Sequence, residues 1–304
     1  MGRKLYFIFI FLFIAFQSVK AQDSLLAALK KEATSIGQKQ FATFKSTRLI
    51  NAQTSETTSA GSLDFRVAHR FGDFLSYHGS SEGGFHTFYG LDDPNFDIRI
   101  AFEYGITDRL MVGISRSKQD ENLEGLVKFR LLEQRIDGKI PVSITLFAST
   151  AYTPKLDSLL SSLPTADRFT HTAQVIIARK FSSTLSLEVI PSLVHRNLIT
   201  NRFDKNEIYS IGGGGRWKLT KSFNLIADYF YNFRTPAMDG LYYAPLGAGV
   251  EIETGGHVFS LMFTNAQYII EPEFIANTTQ SWAQNGWKFC FNISRTFSFK
   301  KNKE

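Results

Sequence analysis

Trp287-Lys-Phe-Cys-Phe-Asn-Ile-Ser-Arg-Thr-Phe-Ser-Phe299 is the stretch from which the rest of the chain is best read. Trp287, Phe289, Phe291, Ile293, Phe297 and Phe299 share one parity, and Lys288, Cys290, Asn292, Ser294, Thr296 and Ser298 share the other. Side chains on a strand alternate between two faces. An extended segment here therefore has one apolar and one polar side over about 40 Å, at roughly 3.3 Å per residue. That is long for a soluble strand and suits one crossing a bilayer at a tilt.

The alternation recurs upstream. Leu63, Phe65 and Val67 alternate with Asp64, Arg66 and Ala68, and Phe96, Ile98, Ile100, Phe102 and Tyr104 with Asp97, Arg99, Ala101 and Glu103. Leu110, Val112 and Ile114 follow, then segments at 123–131, 142–152, 171–181, 185–195, 207–217, 223–233, 246–254 and 257–265. With the last one this makes twelve segments, and the fold they predict is all-β: an antiparallel up-and-down transmembrane barrel of about 12 strands over residues 61–299. The composition, 29 Phe, 11 Tyr and 22 Gly against 8 Pro, favours strands as well.

The connections carry independent information. Residues 106–109, 133–139, 182–184, 218–222 and 255–256 read as short polar turns. Between them come 72–95, 118–122, 153–170, 196–206, 234–245 and 266–286, all but 118–122 long. A barrel with both termini in the periplasm sorts its connections in this way, whereas a soluble sandwich has no reason to.

The first residues imply export. Arg3 and Lys4 precede the apolar run Leu5 to Phe16, and Val19-Lys20-Ala21 offers small residues where a signal peptidase cuts. Cleavage is expected after Ala21, which removes Arg3, Lys4 and Lys20 and lowers the formal net charge from +6 to +3. The residual excess includes the polar tail at 300–304 and forms no basic stripe, so nucleic acid is not an expected partner. Cys290 is the single cysteine, which excludes an internal disulfide and a cysteine-built metal site. Beyond the signal no apolar run is long enough for a membrane helix.

Residues 22–60 form a leader before the barrel. Asp23 or Ser24 is placed to cap a short helix through Leu25, Leu26 and Leu29; 41–51 reads as extended and 54–61 as a polar connector. The leader either lies in the periplasm or enters the lumen as a plug, and the sequence leaves both open.

The polar face of the strands mixes charges with Gly113, Gly125, Gly212, Gly214, Gly247, Gly249, Ala68 and Ala101. Small residues there suit a narrow, hydrophilic lumen. The candidates to line it are Asp64, Arg66 and Arg70 in the first segment, Asp97, Arg99 and Glu103 in the second, and Glu124, Lys128 and Arg130 in the fourth. Glu188, Arg216, Asp228, Glu251 and Glu253 continue the series. Arg70 and Asp97 are placed to pair across neighbouring strands. Such residues make either a neutralising ladder or a selective constriction. With both signs present, an open pore is expected to select weakly between ions.

No catalytic residue, metal ligand or cofactor is predicted. His69 sits near an expected strand end; His78, His86, Asp92 and Asp93 share a loop without a metal-site spacing; His171 and His195 fall near the membrane rim. A membrane-embedded hydrolase needs a serine, a histidine and an orienting Asn or Asp on the outer rim, for which His195 and Asn197 supply two types, yet nothing selects a nucleophile. Gly212 to Gly215 lacks the Lys-Ser/Thr of a phosphate loop and reads as close packing at a bend. Cys290 points inward as a small filler.

Asp64-Phe-Arg-Val-Ala-His-Arg-Phe-Gly72, Gly90-Leu-Asp-Asp93, Ile98-Arg-Ile-Ala-Phe-Glu-Tyr-Gly-Ile-Thr-Asp-Arg-Leu-Met-Val-Gly-Ile-Ser-Arg116 and Thr43-Phe-Lys-Ser-Thr-Arg-Leu-Ile-Asn51 resemble a family of outer-membrane β-barrels from Bacteroidota, the domain of unknown function 5777. The likeness runs from about residue 41 to 299. It implies a fold and a location in the outer membrane of a Gram-negative cell, and carries over no functional residue. Barrels of this kind commonly end on the aromatic residue that the barrel assembly machinery reads in the C-terminal strand, whereas here Lys-Lys-Asn-Lys-Glu follows Phe299. The expected function is non-enzymatic: a narrow, porin-like channel for small polar solutes, or a scaffold for a periplasmic protein. The expected surroundings are outer-membrane lipid. The hydrolase and a secreted soluble β-barrel binding protein are the alternatives.

Overall fold

The computed structural model describes residues 42–75, 83–154, 163–199 and 201–299. The expected signal, the leader's first part with its helix, His78 and the tail at 300–304 lie outside the described residues.

Alternating side chains draw the chain into β1 (Ser62–Asp73), β2 (Asp97–Gly105), β3 (Leu110–Ser117), β4 (Leu123–Leu132), β5 (Ser143–Tyr152) and β6 (Phe169–Lys180). They are followed by β7 (Leu185–Arg196), β8 (Glu207–Lys218), β9 (Phe223–Phe233), β10 (Leu246–Thr254), β11 (His257–Thr264) and β12 (Lys288–Ser298). Each strand pairs antiparallel with its chain neighbours, and β12 pairs with β1 to close a barrel. Two short helices, α1 (Gly83–His86) and α2 (Glu271–Asn277), lie in connections. The observed strands are those the alternation predicts. β1 runs on past Val67 to Asp73, which puts His69 inside the wall rather than at a strand end. There its ring stacks between Phe96 and Phe291, centroids 5.3 Å from each.

Register preserves one parity around the whole barrel. On β12, Phe291 lies opposite His69 and Leu261, whereas Asn292 lies opposite Ala68 and Ser260. A slip of one residue would turn the apolar set inward, so the closed ladder locks every strand. The outward set stays bare: Ile100, Phe102, Ile114, Val127, Val189 and Tyr231 are all exposed. A continuous apolar wall of this extent needs apolar surroundings, and a bilayer supplies them.

Inside, two expectations change. Gly125 faces out, opposite Ile114 and Thr150, and does not line the lumen. The lumen is also not polar throughout. Met111, Leu126, Phe147, Ile176, Ile190 and Phe230 point inward and cluster with Phe274 and Ile275 of α2. The connection carrying α2 folds into the barrel, and its apolar side requires an apolar floor.

The short turns gather at one end, where β1 begins and β12 ends, and the longer connections gather at the other.

Candidate functional site: the occupied lumen

Residues 46–55 fill the middle of the barrel as a tight hairpin. Thr54 N donates to Thr47 O at 2.9 Å, Leu49 N donates to Ala52 O at 2.9 Å, and Arg48 bridges to Gln53. Ile50 and Asn51 make the turn, a position that Asn favours because it tolerates turn dihedrals and bonds locally. The described part of the leader thus lies within the lumen.

Asp228 on β9 grips the hairpin tip. Its Oδ2 accepts from Ile50 N at 3.1 Å, Asn51 N at 2.6 Å and Ala52 N at 2.8 Å, and its Oδ1 accepts from Asn51 Nδ2 at 2.7 Å. Successive backbone amides converging on one carboxylate form an anion nest, with the protein's own aspartate as the anion. Arg70 NH2 donates to Asn51 Oδ1 at 2.7 Å, so one residue of the turn is held from two walls. Lower down, Lys128 Nζ donates to Thr47 O at 2.9 Å, Thr54 O at 3.2 Å and Glu56 O at 3.2 Å. These bonds staple the two hairpin strands and satisfy a fully buried ammonium.

Wall glycines make the room. A Cβ on Gly214 would lie 2.7 Å from Leu49 Cδ1, and one on Gly247 would lie 2.6 Å from Ile50 Cγ2. Gly212 admits the Phe230 ring in the same way. The glycine run on β8 keeps an unbroken register with β7 and β9, and hairpin and ring pack against it.

From the long-loop end comes α2. Asn232 Nδ2 donates to Ile275 O at 2.7 Å and Arg234 donates to Ala276 O, which caps the helix's last carbonyls. At its first turn, Glu271 meets the hairpin. Arg48 NH2 lies 2.7 Å from Glu271 Oε1, Gln53 Nε2 donates to the same carboxylate at 2.9 Å, and Arg48 NH1 donates to Asn51 O at 2.9 Å. Burial pushes the Glu271 carboxyl above the usual carboxylate range, and Arg48 opposes that push. Nearby Glu273 is raised by burial to about 7.

All fourteen residues proposed to line the lumen sit on the inward parity, with different duties. Arg66 NH2 donates to Ser46 Oγ and Thr47 Oγ1 at 2.9 Å each and to Asp64 at 3.0 Å, and Glu103 accepts from Thr47 Oγ1 at 2.8 Å. Arg130 reaches Glu56 at 3.1 Å. Arg99 pairs with Glu124 at 2.8 Å, with Ser115 bonded to both. Arg216 pairs with Glu251 at 2.7 Å and with Glu253 near the short-turn end. Glu188 is buried on β7. Arg70 and Asp97 are opposed in register as anticipated, yet their side chains diverge: Arg70 turns to the hairpin, and Asp97 Oδ1 accepts from Gln119 N at 2.9 Å. Sequence reasoning missed Arg48, Asn51, Gln53 and Glu271. Asn51 at the end of the extended stretch 41–51, just before the polar connector, was the available turn signal; nothing local marks Glu271 as a partner of Arg48.

At the short-turn end a polar cavity of about 550 Å³ opens beside the hairpin base, lined by Lys45, Glu56, Asp64, Arg66, Lys221 and Glu253. Among the described residues, the candidate pair His195 and Asn197 does not come together. His195 Nδ1 lies 3.0 Å from Glu207, whereas Asn197 donates to Ala166 O at 2.6 Å. Among the described residues no group of three or more His, Cys, Asp and Glu is placed to hold a metal ion.

A family described as a membrane bound beta barrel domain, the domain of unknown function 5777, matches residues 44–297. No curated protein matches the chain. Among solved structures, the NanC porin is 8% identical with a TM-score of 0.46, covering 79% of this chain and 100% of its own. The KdgM porin is 9% identical with a TM-score of 0.45, covering 79% and 99%. An outer membrane channel from Pseudomonas putida F1 is 10% identical with a TM-score of 0.47, covering 80% and 98%. At these identities no residue role passes from them to this chain.

Proposed function

The chain belongs to this family of membrane-bound β-barrel domains, and on that premise we propose that it is a non-enzymatic outer-membrane channel for small polar solutes, held closed by its own N-terminal hairpin. The observation that carries this reading is the way the hairpin is held. Asp228, Arg70, Lys128, Glu103 and Arg66 bind it through hydrogen bonds and charge, so water in an emptied lumen can replace each contact. Beyond these bonds, Leu49 and Ile50 pack against the wall at Ala178, Ile226, Met262 and Cys290 and over Gly214 and Gly247. The groups so released carry both signs, and weak ion selectivity follows.

Long loops outside and short turns in the periplasm put the hairpin base on the periplasmic side. Ala42 lies among the turn residues Lys221 and Gly255 there. A periplasmic protein that pulls on the chain before Ala42 draws the hairpin out. Assembly into the membrane uses β12, whose outward aromatics end at Phe299.

Single-channel recording in a planar bilayer tests the reading, with the full mature chain and with residues 22–60 deleted. The expected result is a silent full chain and steady current after deletion. The apolar cluster beneath α2 favours a second reading, a barrel sealed for good that serves as a scaffold. Silence of both proteins would establish it.

A further inference from the structure

The polar cavity of about 550 Å³ at the short-turn end lies between two separate parts of the chain. Residues 42, 44–47 and 56–59, at the base of the hairpin, supply one side. β1, β12 and the turns that follow β8 and β10 supply the other. The complete cavity therefore exists only while the hairpin is seated.

Its hydrogen-bonding groups are unequally used. Three carboxylates line it, and every oxygen of each already has a donor. Asp64 accepts from Arg66 at 3.0 Å and from Thr296 at 3.3 Å. Glu56 accepts from Thr43 N at 2.8 Å, from Phe44 N at 3.3 Å and from Arg130 at 3.1 Å. Glu253 Oε1 accepts from Arg216 and Asn224, and its Oε2 lies 3.3 Å from Lys45 Nζ. Glu103, the other acid near Arg66, does not line the cavity and is offset by Arg99 and Lys128.

The donors are not used up. Arg66 lines the cavity with 3% of its side chain exposed, and all of its hydrogen bonds leave from Nη2. Its Nε is enclosed without a partner. Nη1 donates to no described residue and is not enclosed, so it opens on the cavity. Lys45 makes a single contact with its three ammonium protons, and Lys221 stands exposed on the rim. Ser294, opposite Arg66 in the ladder between β1 and β12, adds a hydroxyl. Spare N–H donors facing carboxylates that are already satisfied select a ligand rich in acceptors. A guanidinium beside ammonium groups suits an oxyanion, and the volume is that of a small-molecule site.

We propose that this cavity binds a small organic oxyanion, a carboxylate or phosphate held by Arg66 Nη1 with Lys45 and Lys221, and that the bound anion locks the hairpin in place. Lys45 belongs to the hairpin and Arg66 to the wall, so the ligand bridges the two. A ligand that binds only the seated arrangement stabilises it by linkage. Binding rests on the seated hairpin alone; its meaning as a gate rests on the channel reading.

Isothermal titration of the full mature chain in detergent, at constant ionic strength, tests the site with succinate, inorganic phosphate and glucose. Each anion is expected to bind at least about tenfold tighter than glucose. Lys45→Gln and Lys221→Gln change exposed ammonium groups, and each is expected to weaken succinate binding about threefold. With succinate at about ten times its dissociation constant, hydrogen exchange at the Leu49 and Thr54 amides, which bond within the hairpin, is expected to slow about tenfold. Strand amides are expected not to change. Glucose binding as tightly as both anions overturns the proposal, as does an unaltered affinity in the variant carrying both substitutions. Hairpin exchange that stays the same under saturating succinate overturns the lock. None of these readings depends on current through the barrel, which tests the channel separately.

Discussion

Arg48 of the hairpin and Glu271 of α2 form an ion pair at 2.7 Å with both side chains wholly buried, and this pair joins two segments that enter the barrel from opposite ends. Neither segment can leave alone without stranding a charge. The attraction between buried charges roughly offsets their desolvation, but an unpartnered one does not recover that cost. The pair therefore acts as a latch.

Breaking the latch on one side is expected to be severe. Arg48→Ala leaves Glu271 uncompensated, a loss on the order of 3–5 kcal/mol for a buried pair. The hairpin is then expected to leave, giving current in a bilayer and a lower melting temperature in detergent. Arg48→Met together with Glu271→Leu removes both charges, and the melting temperature is expected to return close to the parent value. A double variant as unstable as the single would show that the pair is not the connection between the segments.

Asp228 offers a second handle. Its carboxylate accepts three backbone amides and the Asn51 side chain, and hydrogen bonds to a charged acceptor contribute about 1.5–3 kcal/mol each before neighbours compensate. Asp228→Ala is expected to speed hydrogen exchange at the amides of Ile50, Asn51 and Ala52 by more than about tenfold while the strand amides stay protected. Asp228→Asn, which keeps the shape and loses the charge, is expected to fall between.

The wall was legible because its signal is periodic: each of the twelve strands declares its outward face in sequence, and closure then follows from pairing neighbours. The lumen was only half legible. Parity alone put the fourteen charged candidates inside, and it put Cys290 there too, where it is buried. What they touch depends on residues far away in the chain, such as Lys128 on three hairpin carbonyls, and no local pattern carries that. Gly125 was misplaced because glycine has no polarity to betray its face; only counting along β4 from Leu123 assigns it outward. The inward apolar patch was missed for a related reason. Leu126, Phe147 and Ile190 each stand singly among inward polar residues such as Glu124, Ser149 and Glu188, so no one strand marks the floor for α2, which only the closed barrel gathers.

Glycines facing the hairpin predict a change that acts only when the hairpin is present. A Cβ at Gly247 would meet Ile50 Cγ2 at 2.6 Å and Asp228 Oδ1 at 3.0 Å. Gly247→Val is therefore expected to displace the hairpin tip and raise the conductance of the full chain. In the chain lacking residues 22–60 that collision is gone, and the same substitution is expected to leave stability unchanged within about 0.5 kcal/mol. A comparable effect in both backgrounds, read by thermal unfolding, would place the strain in the wall instead.

Acid is expected to tighten the outer closure. Glu273 on α2 is buried, and that burial holds its carboxyl near 7, with Asn277 donating to it, Asp120 adding repulsion, and Arg196 and the more distant Asp97 acting in opposite senses. The folded loop binds a proton that the unfolded loop releases in the ordinary carboxylate range. Its contribution is thus fully present below that range and is lost as pH rises through about 7. Between about pH 5 and about pH 8, hydrogen exchange across α2, corrected for the intrinsic rate, is expected to accelerate while the strands do not change. Glu273→Gln, neutral throughout, is expected to flatten that dependence. A loop that loosens in acid instead would mean that α2 is held mainly by ionised carboxylates and that its buried helix face plays the smaller part.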